Sequence, residues 1–329
     1  MNPFRSMTLM VLMFFVQIFI SSGYAFSKER DNPLVRRDRP FSIHFLTKDI
    51  GWVVGDRGLV FKTADGGESW QSLKMNSRYS FKDITFIDGY GWIVGEEGVI
   101  LHTNDWGNNW NIQETDAKMS LMCVFFLNKS KGFVVGADGT ILATDNGGSS
   151  WKTISLDWMG LLPETVLERG ICSINLYDIF FVDKSKGWIV GDFGTVLYTF
   201  DGGDNWKILQ VGQFPHLFSV YFKNSLEGLA IGQNGLFLKT HDGGNKWEKV
   251  SLGTEKSLFN IDIMGDYAVV VGDKGTLFQS KDGGETWTKV NLKMRGPYPW
   301  LVDVAIVPSL SSGKAIYIGK GIMGIMTIS

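Results

Sequence analysis

The side chains that could do chemistry in this chain are mostly carboxylates, and they recur. Residues 63–70 read TADGGESW, with variants at 103–110, 144–151, 199–206, 240–247 and 280–287. Each places Asp65, Asp105, Asn146, Asp201, Asp242 or Asp282 two residues after a Ser or Thr and five before a tryptophan. Such a stretch could be a repeated ligand site or a repeated hairpin turn. Turn chemistry accounts for every position. The carboxylate accepts N–H groups of its own turn, the hydroxyl bonds from the other side, glycine supplies positive φ, and the tryptophan packs between strands. Asn146 separates the two readings, because an amide oxygen can accept as a carboxylate does but cannot serve as a carboxylate catalyst. The boxes therefore read as architecture.

The elements that position these residues follow from their spacing. The box tryptophans fall at 70, 110, 151, 206, 247 and 287, and a period near 40 with four short apolar segments per unit is the pattern of propeller blades. In one unit, 81–87, 91–95, 98–103 and 110–113 read as four successive strands. First- and second-strand signals recur seven times, the last second strand being 315–319. The expectation is an all-β fold: a seven-bladed β-propeller of four-stranded antiparallel blades, one domain over 26–329. The chain ends after the third strand of the last blade. Residues between Asn32 and Arg37 are expected to supply the fourth, closing the ring between N- and C-terminal strands. Pro33 is acceptable there because the fourth strand is outermost.

Two candidate sites emerge from this frame. Aligning the first strands puts Ser42, Asp83, Cys123, Asp178, Ser219, Asn260 and Asp303 in one polar layer of the central channel. It could hold a cation or small ligand, but short polar side chains there more often satisfy neighbouring backbone and water. The second candidate is the face opposite the boxes. There an insertion at about 157–172, between blades three and four, joins the other connecting loops. These loops gather Arg78, Arg169 and Arg295 with Tyr79, Trp158, Phe214, Tyr298 and Trp300, and Arg57 sits in a turn on the same side. Arginine with aromatic rings is the composition of interface hot spots. Residues 163–169 are expected to form one or two helical turns, whose leucines would need a surface to cover.

Bulk properties narrow the class. A formal charge of -2 gives no basic footprint for nucleic acid. Arg5, the apolar run 7–20 and the small residues 21–25 read as an export signal cleaved before Phe26. The rival is an uncleaved anchor, but Gln17 interrupts the run and it is shorter than the ~20 residues of a membrane span. Cys123 and Cys172 form no metal-binding spacing, the histidines are scattered, and whether the two thiols pair is left open. No cofactor or metal is expected.

The Ser/Thr-x-Asp-x-Gly-x-x-Trp boxes combined with Gly-Trp-x-Val-Gly hairpins, as at 51–55, 91–95 and 187–191, resemble the photosystem II stability and assembly factor family over about residues 41–329. The resemblance implies an exported, non-enzymatic propeller that binds a protein, a membrane complex or its precursor; a monomer is expected. It implies a periplasmic or extracellular location, or the thylakoid lumen in a photosynthetic source. The chain departs from the photosynthetic pattern in lacking a lipobox cysteine and a twin-arginine signal, and in its insertion. The alternative is a sialidase-like glycoside hydrolase or glycan-binding propeller. Sialidases need three converging arginines, yet no arginine falls on an expected inner strand.

Overall fold

The computed structural model describes residues 33–75, 77–292, 300–308 and 313–328. Seven antiparallel sheets appear among them, six of four strands and one of three. The inner strands are Pro40–Phe45, Phe81–Ile87, Leu121–Phe126, Leu176–Phe181, Leu217–Phe222, Leu258–Met264 and Leu301–Ile306. This is the expected seven-bladed propeller. The segment 1–25, read as an export signal, lies outside the described residues.

Packing between blades repeats with the sequence. The tryptophan of the second-strand hairpin is fully buried and stacks on an inner-strand phenylalanine of the next blade: Trp52 on Phe86, Trp92 on Phe126 and Trp188 on Phe222, at 3.5–3.6 Å between centroids. The box tryptophan meets the same phenylalanine edge-on, as Trp110 does Phe86 and Trp247 does Phe222. Each phenylalanine is thus held between two indoles, one from each of two blades, and stacked or edge-to-face aromatic pairs are worth ~0.5–1.5 kcal/mol beyond their buried area.

The boxes behave as turns. Thr63 Oγ1 donates to Asp65 Oδ1 at 2.8 Å and accepts from Gly67 N at 2.9 Å, while Asp65 Oδ1 accepts from Ser69 N at 2.9 Å. Asn146 reproduces this with Ser150 N donating to its Oδ1 at 2.9 Å. Burial works against ionisation of Asp105, but hydrogen bonds from Asn109, Thr103 and Asn108 outweigh it and bring the carboxyl down to about 2.

The ring closes between its terminal strands. Ile43 N donates to Asp303 Oδ2 at 2.8 Å, and Ile43 and Val53 share one core cluster with Ile316 and Ile318. On the box side, Lys314 Nζ donates to Gly66 O and pairs with Glu68, both at 2.7 Å. The fourth strand expected from 32–37 is not seen in described residues 33–37. Pro33 offers no N–H, and Asp38 turns the chain by accepting Val35 N at 2.8 Å. Leu34 nevertheless is buried in one core cluster with Ile318 and Met323, and Gly321 N donates to Asp38 O at 2.9 Å, which joins this segment to blade seven.

Candidate functional site

In every blade the inner strand carries a bulge after its first residue, and the next paired residue is the one expected in the polar layer. Ser42, Asp83, Cys123, Asp178, Ser219, Asn260 and Asp303 do share one register and line a channel of about 490 Å³. Their hydrogen bonds run from blade to blade. Asp83 takes Ser42 Oγ from blade one at 2.7 Å and Val124 N from blade three at 2.8 Å. Asp178 takes Val220 N of blade five at 2.8 Å and the Cys123 thiol of blade three at 3.3 Å.

Asp262, two residues deeper toward the box face, was not in the sequence-derived layer, yet it accepts Ile306 N of blade seven at 2.6 Å. Burial raises the carboxyls of Asp178 and Asp262 to about 6 and pushes Asp83 and Asp303 up as well, against the stabilising bonds their anions receive. Burial also holds His44 down to about 4 and drives the Cys123 thiol well up. These groups act as clasps between blades. Cys123 and Cys172 are both free thiols, and no cluster able to hold a metal occurs among the described residues.

At the other face, fourth-to-first connections meet second-to-third turns, as expected: Gly58 N donates to Tyr79 O, Gly139 N to Ile174 O and Gly212 N to Phe193 O. The expected partner-binding residues divide between regions of this face. Between blades one and two, Arg57 pairs with Asp56 at 3.5 Å, while Arg78 pairs with Glu97 at 3.7 Å and lies 5.3 Å over the Tyr79 ring. At blades four and five, exposed Arg169 lies 5.3 Å over Phe193, and half-buried Phe214 packs beside Gly194. Trp300 is 62% exposed, its ring 6.2 Å from Phe259. Arg295 and Tyr298 lie outside the described residues.

Trp158 requires a correction. It is only 8% exposed and packs with Leu162, Val166 and Ile174 in the core between blades three and four. The insertion forms two short helices, Trp158–Leu161 and Glu164–Leu167, the first capped by Asp157 accepting Gly160 N at 3.2 Å. Burial of its apolar side chains demands a surface, and the propeller itself provides it. Trp158 is the pin that seats the insertion, so it is not available to a partner. Met159 and Leu161 remain outside at 62% and 40% exposure.

Sequence reasoning missed a polar cluster beside Arg169. Asp192 is 7% exposed and accepts from Tyr177 Oη at 2.7 Å, from Asn175 N and Nδ2 at 2.9 Å each, and from His216 Nδ1 at 2.8 Å. Burial first, then the Asp192 carboxylate, push the Tyr177 phenol far up. The cluster joins a strand, a turn and a loop separated in sequence, and only the position of His216 just before an inner strand hinted at it.

The fold and face define a propeller whose box and channel carboxylates bond its own turns and neighbouring strands, with Arg169 and Trp300 exposed on the face opposite the boxes. The family model of the photosynthesis system II assembly factor YCF48 matches residues 33–121, 167–254 and 205–309. The chain belongs to this family. Among solved structures it is similar to YCF48 bound to D1 peptide, at 21% identity and TM-score 0.69, covering 91% of this chain and 94% of that one. YCF48 from Cyanidioschyzon merolae gives 22% identity and TM-score 0.69 over 88% and 95%. An ancestral GH74 enzyme shares the fold at 16% identity and TM-score 0.67, over 88% of this chain and 45% of that one. No curated protein matches the sequence.

Proposed function

We propose that this chain is a non-enzymatic assembly factor that docks a segment of a membrane protein complex, or of its precursor, on the face opposite the boxes. One observation carries the reading: Arg169, Trp300, Met159 and Leu161 stand exposed on that face, while the box and channel carboxylates bond neighbouring backbone. A glycosidase needs two carboxyl groups free to face a substrate. Asp83, Asp178 and Asp303 are each engaged by the next blade. The D1 peptide bound by a YCF48 supports a peptide segment as the docked element. Export with removal of residues 1–25, which rests on the N-terminal sequence, belongs to the same proposal, as does a monomeric state. It places the protein in the periplasm or outside the cell, or in the thylakoid lumen of a photosynthetic source.

The test is capture by the tagged full chain from detergent-solubilised membranes of its source, read by mass spectrometry. Enrichment of one membrane complex or its precursor is expected. Arg169→Glu with Trp300→Ala should reduce it roughly tenfold, the scale of one or two hot-spot residues. Phe200→Ala on the box face should leave it unchanged. Retention or cleavage of glycans with no protein enriched would overturn the reading.

A further inference from the structure

The outermost strand of a blade has no sheet neighbour on its outer side, and proteins guard such edges with charge, lysine above all. Among the described fourth strands one departs from that rule. Gln71–Lys74, Lys152–Thr153, Lys207–Gln210, Glu248–Lys249 and Thr288–Lys289 each carry a lysine, while Asn111–Gln113 of blade two carries no charge. Its central residue, Ile112, is 73% exposed. An unguarded apolar edge is a place for another strand to pair.

The backbone of Ile112 also faces outward. In blades three, five and six the residue after the matching step donates inward: Ile154 N to Ile141 O, Val250 N to Phe237 O and Val290 N to Leu277 O. Successive residues of an antiparallel strand turn their N–H and C=O to opposite sides, so Thr153, Lys249 and Lys289 present theirs away from the blade. Ile112 holds that step in blade two, paired with Leu101 as Lys249 is with Leu238 and Lys289 with Phe278. Where blades five and six set a lysine, blade two sets an isoleucine. From there the chain alternates: Ile112, Glu114 and Asp116 are exposed, and Gln113, Thr115 and Ala117 are half-buried. A groove of about 560 Å³ runs beside them to Ser149 and Trp151 at the third box. Arg78 pairs with Glu97, and neither Glu114 nor Asp116 has an ion pair among the described residues.

We propose that this rim of blade two is a strand-addition site for an extended, basic segment of a protein partner, a contact independent of the docking face above. The segment's backbone pairs with Ile112, an apolar side chain covers the Ile112 side chain, and lysine or arginine at the next steps on the same side meets Glu114 and Asp116. Hydrogen bonds along the edge supply affinity without reading sequence; the two carboxylates select charge.

The probe is a blocked hexapeptide in which lysine, lysine and valine alternate with threonine, titrated into the full chain by calorimetry. Its comparators are the same peptide with glutamate for lysine, and the same peptide N-methylated at every residue, which removes the N–H groups a strand must donate. Saturable binding of the lysine peptide is expected, with the glutamate peptide roughly tenfold weaker and the N-methylated one not bound. Ile112→Pro removes the outward N–H, which the blade's own ladder does not use, so it should abolish binding while thermal unfolding stays native. Ile112→Thr keeps that N–H and should retain binding within a few-fold. Glu114→Gln with Asp116→Asn should abolish the preference for lysine over glutamate. No saturable binding of the lysine peptide, or undiminished binding by the N-methylated peptide or by Ile112→Pro, would overturn strand addition. Equal affinity of the native chain for the lysine and glutamate peptides would overturn the basic partner.

Discussion

Asp178→Ala tests whether the channel carboxylates are clasps. The side chain accepts Val220 N of blade five, Ile179 N of its own strand and the Cys123 thiol of blade three. Val220 is buried at 3% exposure, and leaving its amide without an acceptor costs about 1–3 kcal/mol. The thiol is a weak donor and adds little. Water in the channel can partly replace the lost acceptor, which favours the middle of that range, about 2 kcal/mol, or roughly a 3–6 °C drop in Tm.

The cost should also depend on pH, with a definite sign. The Asp178 carboxyl rises from 3.8 to about 6 on folding. Its titration therefore contributes stability that is fully present below about 4 and is lost as pH rises through about 6. The substitution should cost more at pH 4.5 than at pH 8, by on the order of 1 kcal/mol after discounting for channel water. His44, held down to about 4, acts with the opposite sign in both proteins and so cancels from the difference. Urea unfolding followed by tryptophan fluorescence at pH 4.5, 6 and 8 measures this. A cost that grows with pH, or stays below ~0.5 kcal/mol at pH 4.5, would refute the clasp.

Three further outcomes follow from the packing. Trp158→Ala should cost about 3–5 kcal/mol by emptying the site under the insertion, with protease cleavage near 157–172 as the readout; resistance equal to the native chain would return Trp158 to the surface. Asn146→Asp should change stability by less than ~0.5 kcal/mol, whereas Asp201→Ala, which loses Asn205 N and Thr199 Oγ1, should cost about 1–2 kcal/mol by thermal unfolding. Lys314→Met removes the bond to Gly66 and the pair with Glu68 that join the last blade to the first; a loss of about 1 kcal/mol, shrinking in high salt, is expected in denaturant titrations.

The amino-acid sequence by itself determined the blades, because hairpin boxes and strand alternation are local and recur with one period. It also placed the polar layer, since the bulge falls at the same step of every inner strand. Comparing the repeats at the second residue after each second strand's closing glycine would have revealed Phe193 among polar neighbours, a legible signal that single-motif reading passed over. Tertiary structure alone decided the rest. Whether Trp158 faced a partner or the core depended on the gap between blades three and four, which no local pattern encodes. Asp192, Tyr177 and His216 meet only because a turn, an inner strand and a loop converge at one end of the barrel of blades. Residues 33–37 looked like a strand by spacing, but Asp38 turns the chain by bonding Val35, and Leu34 is buried in the core of the closing blades.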